Sequence, residues 1–189
     1  LELIDVAAEP LARQLGIPEH GDLAFQALDF LASRLENLFL TEGFRVDFIR
    51  AILEAWKQSR DIVDARMRLG ALTAISKDEG FEPLTTTFKR VMNIIEGGTP
   101  QVVQDHLLCE DAERALYAVY KERERKIQTL LEDKKYVDAL REIASLRPAV
   151  DKFFDDVLVM AVDADLRNNR LSLLASIGGL FAQLADFRK

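Results

Sequence analysis

Apolar residues recur at three- and four-residue spacing along nearly all of this chain, and no stretch reads as a credible strand. The first stripe, Leu3, Ile4, Ala7, Ala8, Leu11 and Leu15, predicts a short helix over residues 1–15, broken by Gly16-Ile17-Pro18 and Gly21. A second helix runs from Leu23 to about Thr41, with Asp22 as its cap and Leu28, Leu31, Leu35 and Leu38 inward. Gly43, able to take the left-handed turn, stops it. Asp47 to about Ser59 follows, with Phe48, Ile49, Ile52, Leu53 and Trp56 inward, and then Asp61 to Ile75 with Ile62, Ala65, Leu69 and Leu72. Lys77-Asp78-Glu79-Gly80 is a turn and a candidate boundary.

Leu84 to Ile95 reads as helical despite the threonine run Thr85 to Thr87. Glu96-Gly97-Gly98-Thr99-Pro100 is the clearest break, and Gln101 to Cys109 has no period that places it. Glu110 to Glu132 is a long charged helix. Tyr136, Val137, Leu140, Ile143 and Ala144 then fall on one helical face. Pro148 suits the first turn of a new helix, and Val150, Phe153, Phe154, Val157 and Leu158 make its stripe. With almost no loop between them, these two helices are expected to pack as a hairpin that further helices cover. Asp163 to Asp165 forms a turn before a last helix, Leu166 to Phe187, buried through Leu171, Leu174, Ile177, Leu180, Phe181 and Leu184. Gly178-Gly179 inside it costs stability unless another helix packs closely there. The fold class is all-α, a helical bundle.

Composition narrows the classes. At 189 residues and 49% hydrophobic, the chain buries a real core and holds one large helical domain or two small ones. The single cysteine, Cys109, excludes an internal disulfide and fits a cytoplasmic setting. The sequence opens on Leu1 and not on methionine, without a basic-then-apolar leader pattern, so a fragment or a processed chain is expected. No apolar run is long enough to span a membrane. A net charge of −7 disfavours non-specific nucleic-acid binding and confines any RNA contact to a local basic patch.

No catalytic signature is present: no phosphate-binding glycine loop, zinc-protease helix or nucleophile elbow. Asp163, Asp165, Arg167 and Asn168 fail a calcium loop, because Arg167 stands at an oxygen-ligand position and Leu174 where the bidentate Glu belongs. His106 and Cys109 are too few for a closed zinc site. Asp151, Asp155 and Asp156 read more simply as acid bias near a helix start than as metal ligands. The basic groups are better candidates. Arg167, Asn169 and Arg170, with Asn168, open the last helix, where guanidinium and free N–H groups can hold a phosphate. Lys89, Arg90 and Asn93 lie one turn apart on another helix, and Arg141 and Arg147 flank the hairpin corner. The plainer reading of each is a solvated or ion-paired surface charge. Tyr117, Tyr120 and Tyr136 can stack on bases or pack in the core, and core packing suits at least two of them.

Asp138-Ala139-Leu140-Arg141 spells the signature of the DALR helical anticodon-binding domain of some aminoacyl-tRNA synthetases. Leu146-Arg147-Pro148, Phe153-Phe154-Asp155-Asp156-Val157 and Val159-Met160 resemble the bacterial glycyl-tRNA synthetase beta subunit in particular. So do Leu166-Arg167-Asn168-Asn169-Arg170-Leu171, Leu180-Phe181, Ala185-Asp186-Phe187 and, upstream, Phe88-Lys89-Arg90-Val91-Met92-Asn93-Ile94. The resemblance implies an anticodon-binding bundle over residues 80–189, preceded by further helices over 1–79. It implies glycine tRNA as ligand and a catalytic alpha subunit as partner in a heterotetramer. ATP and Mg2+ would serve that holoenzyme, with no cofactor in this chain. Glycine anticodons end in two cytidines, so a reader needs an acceptor for the cytosine amino group beside a donor to N3 or O2. The alternatives are the same domain from an arginyl-type synthetase and a helical interaction scaffold that binds no RNA.

Overall fold

The computed structural model describes residues 20–95 and 101–186. The expected helix over 1–15, the break at 96–100, Phe187 and the side chains of His20 and Asp22 lie outside the described residues. Eight α-helices and no strand occur among those described: α1 (His20–Thr41), α2 (Val46–Ser59), α3 (Ile62–Ile75), α4 (Phe81–Ile95), α5 (Asp111–Glu132), α6 (Tyr136–Ala144), α7 (Arg147–Asp156) and α8 (Ala164–Ala182). One 3-10 turn, Asp105–Leu107, interrupts an otherwise irregular stretch before α5.

Local chemistry sets the helix ends. Gly43 closes α1 at φ +88°, and Asp61 caps α3 by accepting from the Asp64 N–H at 3.0 Å. Glu110 and Glu113 form a reciprocal capping box at the start of α5. Lys134 takes φ 56° in the turn after α5, with the Lys135 N–H returning to the Leu130 carbonyl at 2.8 Å.

α1, α2 and α3 pack in succession, and α3 docks on α6. α5, about 33 Å long, is the spine against which α6, α7 and α8 lie, while α4 runs along α8. The buried residues form one cluster from Leu35 to Ala185. Phe88 of α4 stacks on Phe181 of α8 at 4.5 Å, and the Asp186 N–H reaches the Ala51 carbonyl of α2 at 2.9 Å. Gly178 explains how α4 comes so close. A Cβ there would lie 3.0 Å from Met92 Sδ and 3.2 Å from Val91 Cγ1, whereas Gly179 faces open space.

A polar knot ties α3 to α6. The Tyr136 hydroxyl donates to Asp64, Arg68 Nε donates to the other Asp64 oxygen at 2.7 Å, and Lys134 lies 3.3 Å from both Asp61 and Asp64. Burial, then the Asp64 carboxylate, raises the Tyr136 hydroxyl above its ordinary pKa.

Several expectations change. α6 and α7 do not pack on each other as a hairpin; each packs on α5. The reason is local. Ser145 and Leu146 both keep right-handed helical angles, so the chain bends there without reversing. Pro148 supplies the break by removing an N–H from the ladder. α7 ends at Asp156, and the following residues alternate: Val157, Val159 and Ala161 are buried, while Leu158, Met160 and Val162 face out. Leu158 therefore leaves the expected stripe. Leu38 and Ile62 are also exposed, and Phe39 of α1 is fully buried.

Candidate nucleic-acid interface

The start of α8 is built inward. Asp163 Oδ1 accepts from the N–H groups of Asp165 and Leu166, at 2.9 and 3.1 Å, so donors expected to be open to a phosphate are already engaged. Arg167 folds back onto the carbonyls of Ala161 and Val162, at 2.8 and 3.4 Å. Asn169 is buried and pairs twice with the backbone of Gln104: Oδ1 accepts from its N–H at 2.7 Å and Nδ2 donates to its carbonyl at 3.1 Å. Arg170 is buried too. Its Nε donates to Glu113 of α5, and Nη1 donates to the Leu158 carbonyl at 2.9 Å. Arg167, Asn169 and Arg170 thus hold the 101–104 and 157–162 segments to α8, and only Asn168 of this quartet turns an uncommitted side chain to solvent.

α4 differs. Lys89, Arg90 and Asn93 are exposed, and neither cation has an ion pair among the described residues. The Arg90 guanidinium lies 4.0 Å from the ring centre of Phe154 on α7, which fixes its position without neutralising it. One turn back on α4, the Thr87 hydroxyl donates to Asp151 Oδ1 at 2.7 Å, and Arg147 pairs with Asp151 Oδ2 at 3.0 Å. The α4–α7 seam therefore gathers Arg90 and Arg147, which are far apart in sequence. Lys89 faces the other flank of α4, lining a small recess with Ala182, Ala185 and Asp186 past the end of α8. Arg141 stands apart on α6, loosely paired with Asp138 at 3.6 Å, both exposed.

The tyrosines are framework. Tyr136 and Tyr120 are buried, with hydroxyls on Asp64 and Glu124, and Tyr117 stacks beside Tyr120 at 6.4 Å. Most of the charged run from Lys121 to Lys126 is spent in the same way: Glu142 of α6 takes both Arg123 and Lys126, at 2.8 and 2.6 Å. Lys126 first, with Arg123, holds the Glu142 carboxyl below its ordinary pKa. No group of three or more His, Cys, Asp and Glu side chains converges as a metal site among the described residues. No described helix is long and apolar enough to cross a membrane.

Sequence periodicity passed over one feature. The 101–107 stretch and the first two turns of α8 bound a polar groove of about 230 Å³. The absence of any helical period over 101–109 was the signal for it.

Among the described residues the frame is thus eight helices and no strand, with α6, α7 and α8 on the long α5 and α4 along α8. The family model for the DALR anticodon binding domain matches residues 84–186, from the first turn of α4 to the end of the described chain. The chain belongs to that family. It is also similar, over nearly its whole length, to proteins named glycine–tRNA ligase beta subunit. It is 45% identical to that of Anaeromyxobacter dehalogenans over 88% of this chain and 24% of the relative. It is 38% identical to that of Trichlorobacter lovleyi over 98% of this chain and 26% of the relative. Identity to that of Geotalea uraniireducens is also 38%, over 100% of this chain and 28% of the relative. The chain spans about a quarter of the length of these curated relatives.

Proposed function

We propose that this chain is the anticodon-binding portion of a cytoplasmic glycine–tRNA ligase beta subunit. Its task is to hold the anticodon loop of glycine tRNA while a separate alpha subunit, using ATP and Mg2+, performs the aminoacylation. In this reading Lys89, Arg90 and Asn93 of α4, with Arg147 across the seam and Arg141 beyond it, meet the loop backbone. Arg167, Asn169 and Arg170 shape the support behind it.

The observation that carries this reading is the pair of exposed, unpaired cations Lys89 and Arg90 within the family-matched segment, on a chain whose other α4–α8 cations are largely tied to carboxylates or carbonyls. An acidic protein that leaves two positive groups, on the two flanks of one helix, without an ion pair presents them to an anion. Phosphates supply that charge at the spacing of a single-stranded loop.

The test is glycine tRNA binding by the Lys89→Ala, Arg90→Ala and double variants across a salt series, with arginine tRNA alongside. Each lost phosphate contact should lower the slope of log affinity against log salt by about 0.7. Unchanged affinity and slope in the double variant would remove α4 from the interface. Equal binding of arginine tRNA by the unaltered chain would count against the glycine assignment.

A further inference from the structure

The groove beside the start of α8 has a chemistry unlike that of the α4–α7 seam. Its floor is fixed. Asn169 spends its whole amide on the Gln104 backbone, and Ser172 Oγ accepts from the Gln101 N–H at 3.1 Å. Its walls are not. The side chains of Gln101, His106, Asp165 and Asn168 line it, are exposed, and have neither a hydrogen-bond partner nor an ion pair among the described residues. Val102 is 87% exposed and places an apolar side chain in the same lining.

A phosphate would not choose this place. Asp165 repels it, the Asp163 side chain already takes N–H groups at the helix start, and no unpaired cation lines the groove. A neutral planar ring with a polar edge fits better. Asp165 and Asn168 are three residues apart on α8, so a carboxylate acceptor and an amide donor stand next to each other on one face. Cytosine has the complementary edge: an amino donor adjacent to ring N3, with the O2 acceptor beyond. The volume, below the roughly 300–1,000 Å³ of pockets for drug-sized ligands, is on the scale of one base.

We propose that this groove receives one splayed cytosine of a single-stranded RNA loop. Asp165 accepts from its amino group, Asn168 donates to N3 or O2, and Val102 packs on the ring face. His106 and Gln101 close the outer side. This assignment rests on the anticodon reading proposed above.

The experiment measures binding of the full chain, and of its Asp165→Asn and Asn168→Ala variants, to glycine tRNA transcripts. One transcript carries the natural anticodon, and two carry uridine in place of the cytidine at the second or at the third anticodon position. Both side chains are exposed and unbonded, so thermal unfolding should be unchanged and serves as the folding control. The expected result is a loss of roughly 5- to 150-fold in the preference for cytidine at one of the two positions and not at the other. If the unaltered chain prefers cytidine and both variants keep that preference within about twofold, the groove assignment is wrong and the anticodon reading stands. An equal loss on every transcript also overturns base reading here. If the unaltered chain shows no cytidine preference, the anticodon reading fails, and the groove with it.

Discussion

Arg170→Ala separates a residue that builds the interface from one that touches RNA. Arg170 and Glu113 form an ion pair between α8 and α5 with side-chain exposures of 8% and 1%. Removing one member of such a pair strands a buried charge, at a cost of about 3–5 kcal/mol. The lower end applies here, because Glu113 Oε2 still accepts from the Glu110 N–H at 2.7 Å, so half of the carboxylate stays satisfied. The Leu158 carbonyl also loses its donor, which adds about 1 kcal/mol. A total of about 4 kcal/mol should lower the melting temperature by roughly 8–16 °C for a chain of this size. In urea the midpoint should fall with the slope unchanged.

A double substitution, Glu113→Gln with Arg170→Met, removes both charges and keeps an acceptor for the cap. It should be more stable than Arg170→Ala alone. At a temperature where Arg170→Ala is fully folded, it should bind glycine tRNA within about twofold of the unaltered chain. A variant that keeps its stability within about 1 kcal/mol yet loses binding would refute this, and would return Arg170 to the RNA-facing surface.

The remaining expectations are smaller. Gly179→Ala should stabilise by about 0.5–1 kcal/mol, because it removes helix-interior glycine entropy and its Cβ meets open space. Gly178→Leu should destabilise by about 1–3 kcal/mol through collision with Met92, Val91 and Ile95; denaturant titration reads both. Tyr120 and Tyr136 are raised in the fold, chiefly by burial and then by Glu124 and Asp64. The folded state therefore keeps protons that the unfolded state releases, and stability should fall as pH rises beyond the ordinary tyrosine range; Tyr120→Phe should flatten that decline in an alkaline melting series. Glu142 is lowered, so its contribution should be present at neutral pH and fade as pH drops below the ordinary carboxylate value, with Glu142→Gln removing that part of the acid slope.

The helices were legible because their apolar spacing is strong. Phe48, Ile49, Ile52, Leu53 and Trp56 all lie in the core, as their stripe requires. What the pattern could not supply was direction after a helix end. The bend at Ser145 and Leu146 depends on backbone angles that any residue can adopt, so a missing loop looked like a reversal. Leu158 shows the same limit. It continues a helical stripe on paper, but the helix has ended and period two has taken over. At the site, charge was legible and exposure was not. Arg170 and Lys89 look alike in sequence, yet one faces a carboxylate on α5 and the other faces water.

That difference bears on how the family resemblance works. Within Asp138-Ala139-Leu140-Arg141, Ala139 and Leu140 are fully buried, and the two charged residues only pair loosely at the surface. Within Leu166-Arg167-Asn168-Asn169-Arg170-Leu171, three polar side chains bond to the protein itself. The blocks that identify the domain are therefore chiefly the blocks that assemble it. They fix α8 against α5 and lay the 101–104 stretch along its flank. That fixing is what leaves Asn168 and Asp165 projecting beside one another, and what brings α4 close enough for Arg90 to settle over Phe154. Within the blocks of that resemblance Lys89, Arg90, Asn93 and Asn168 stay exposed, so the blocks hold both side chains that bond to the protein and side chains left at the surface.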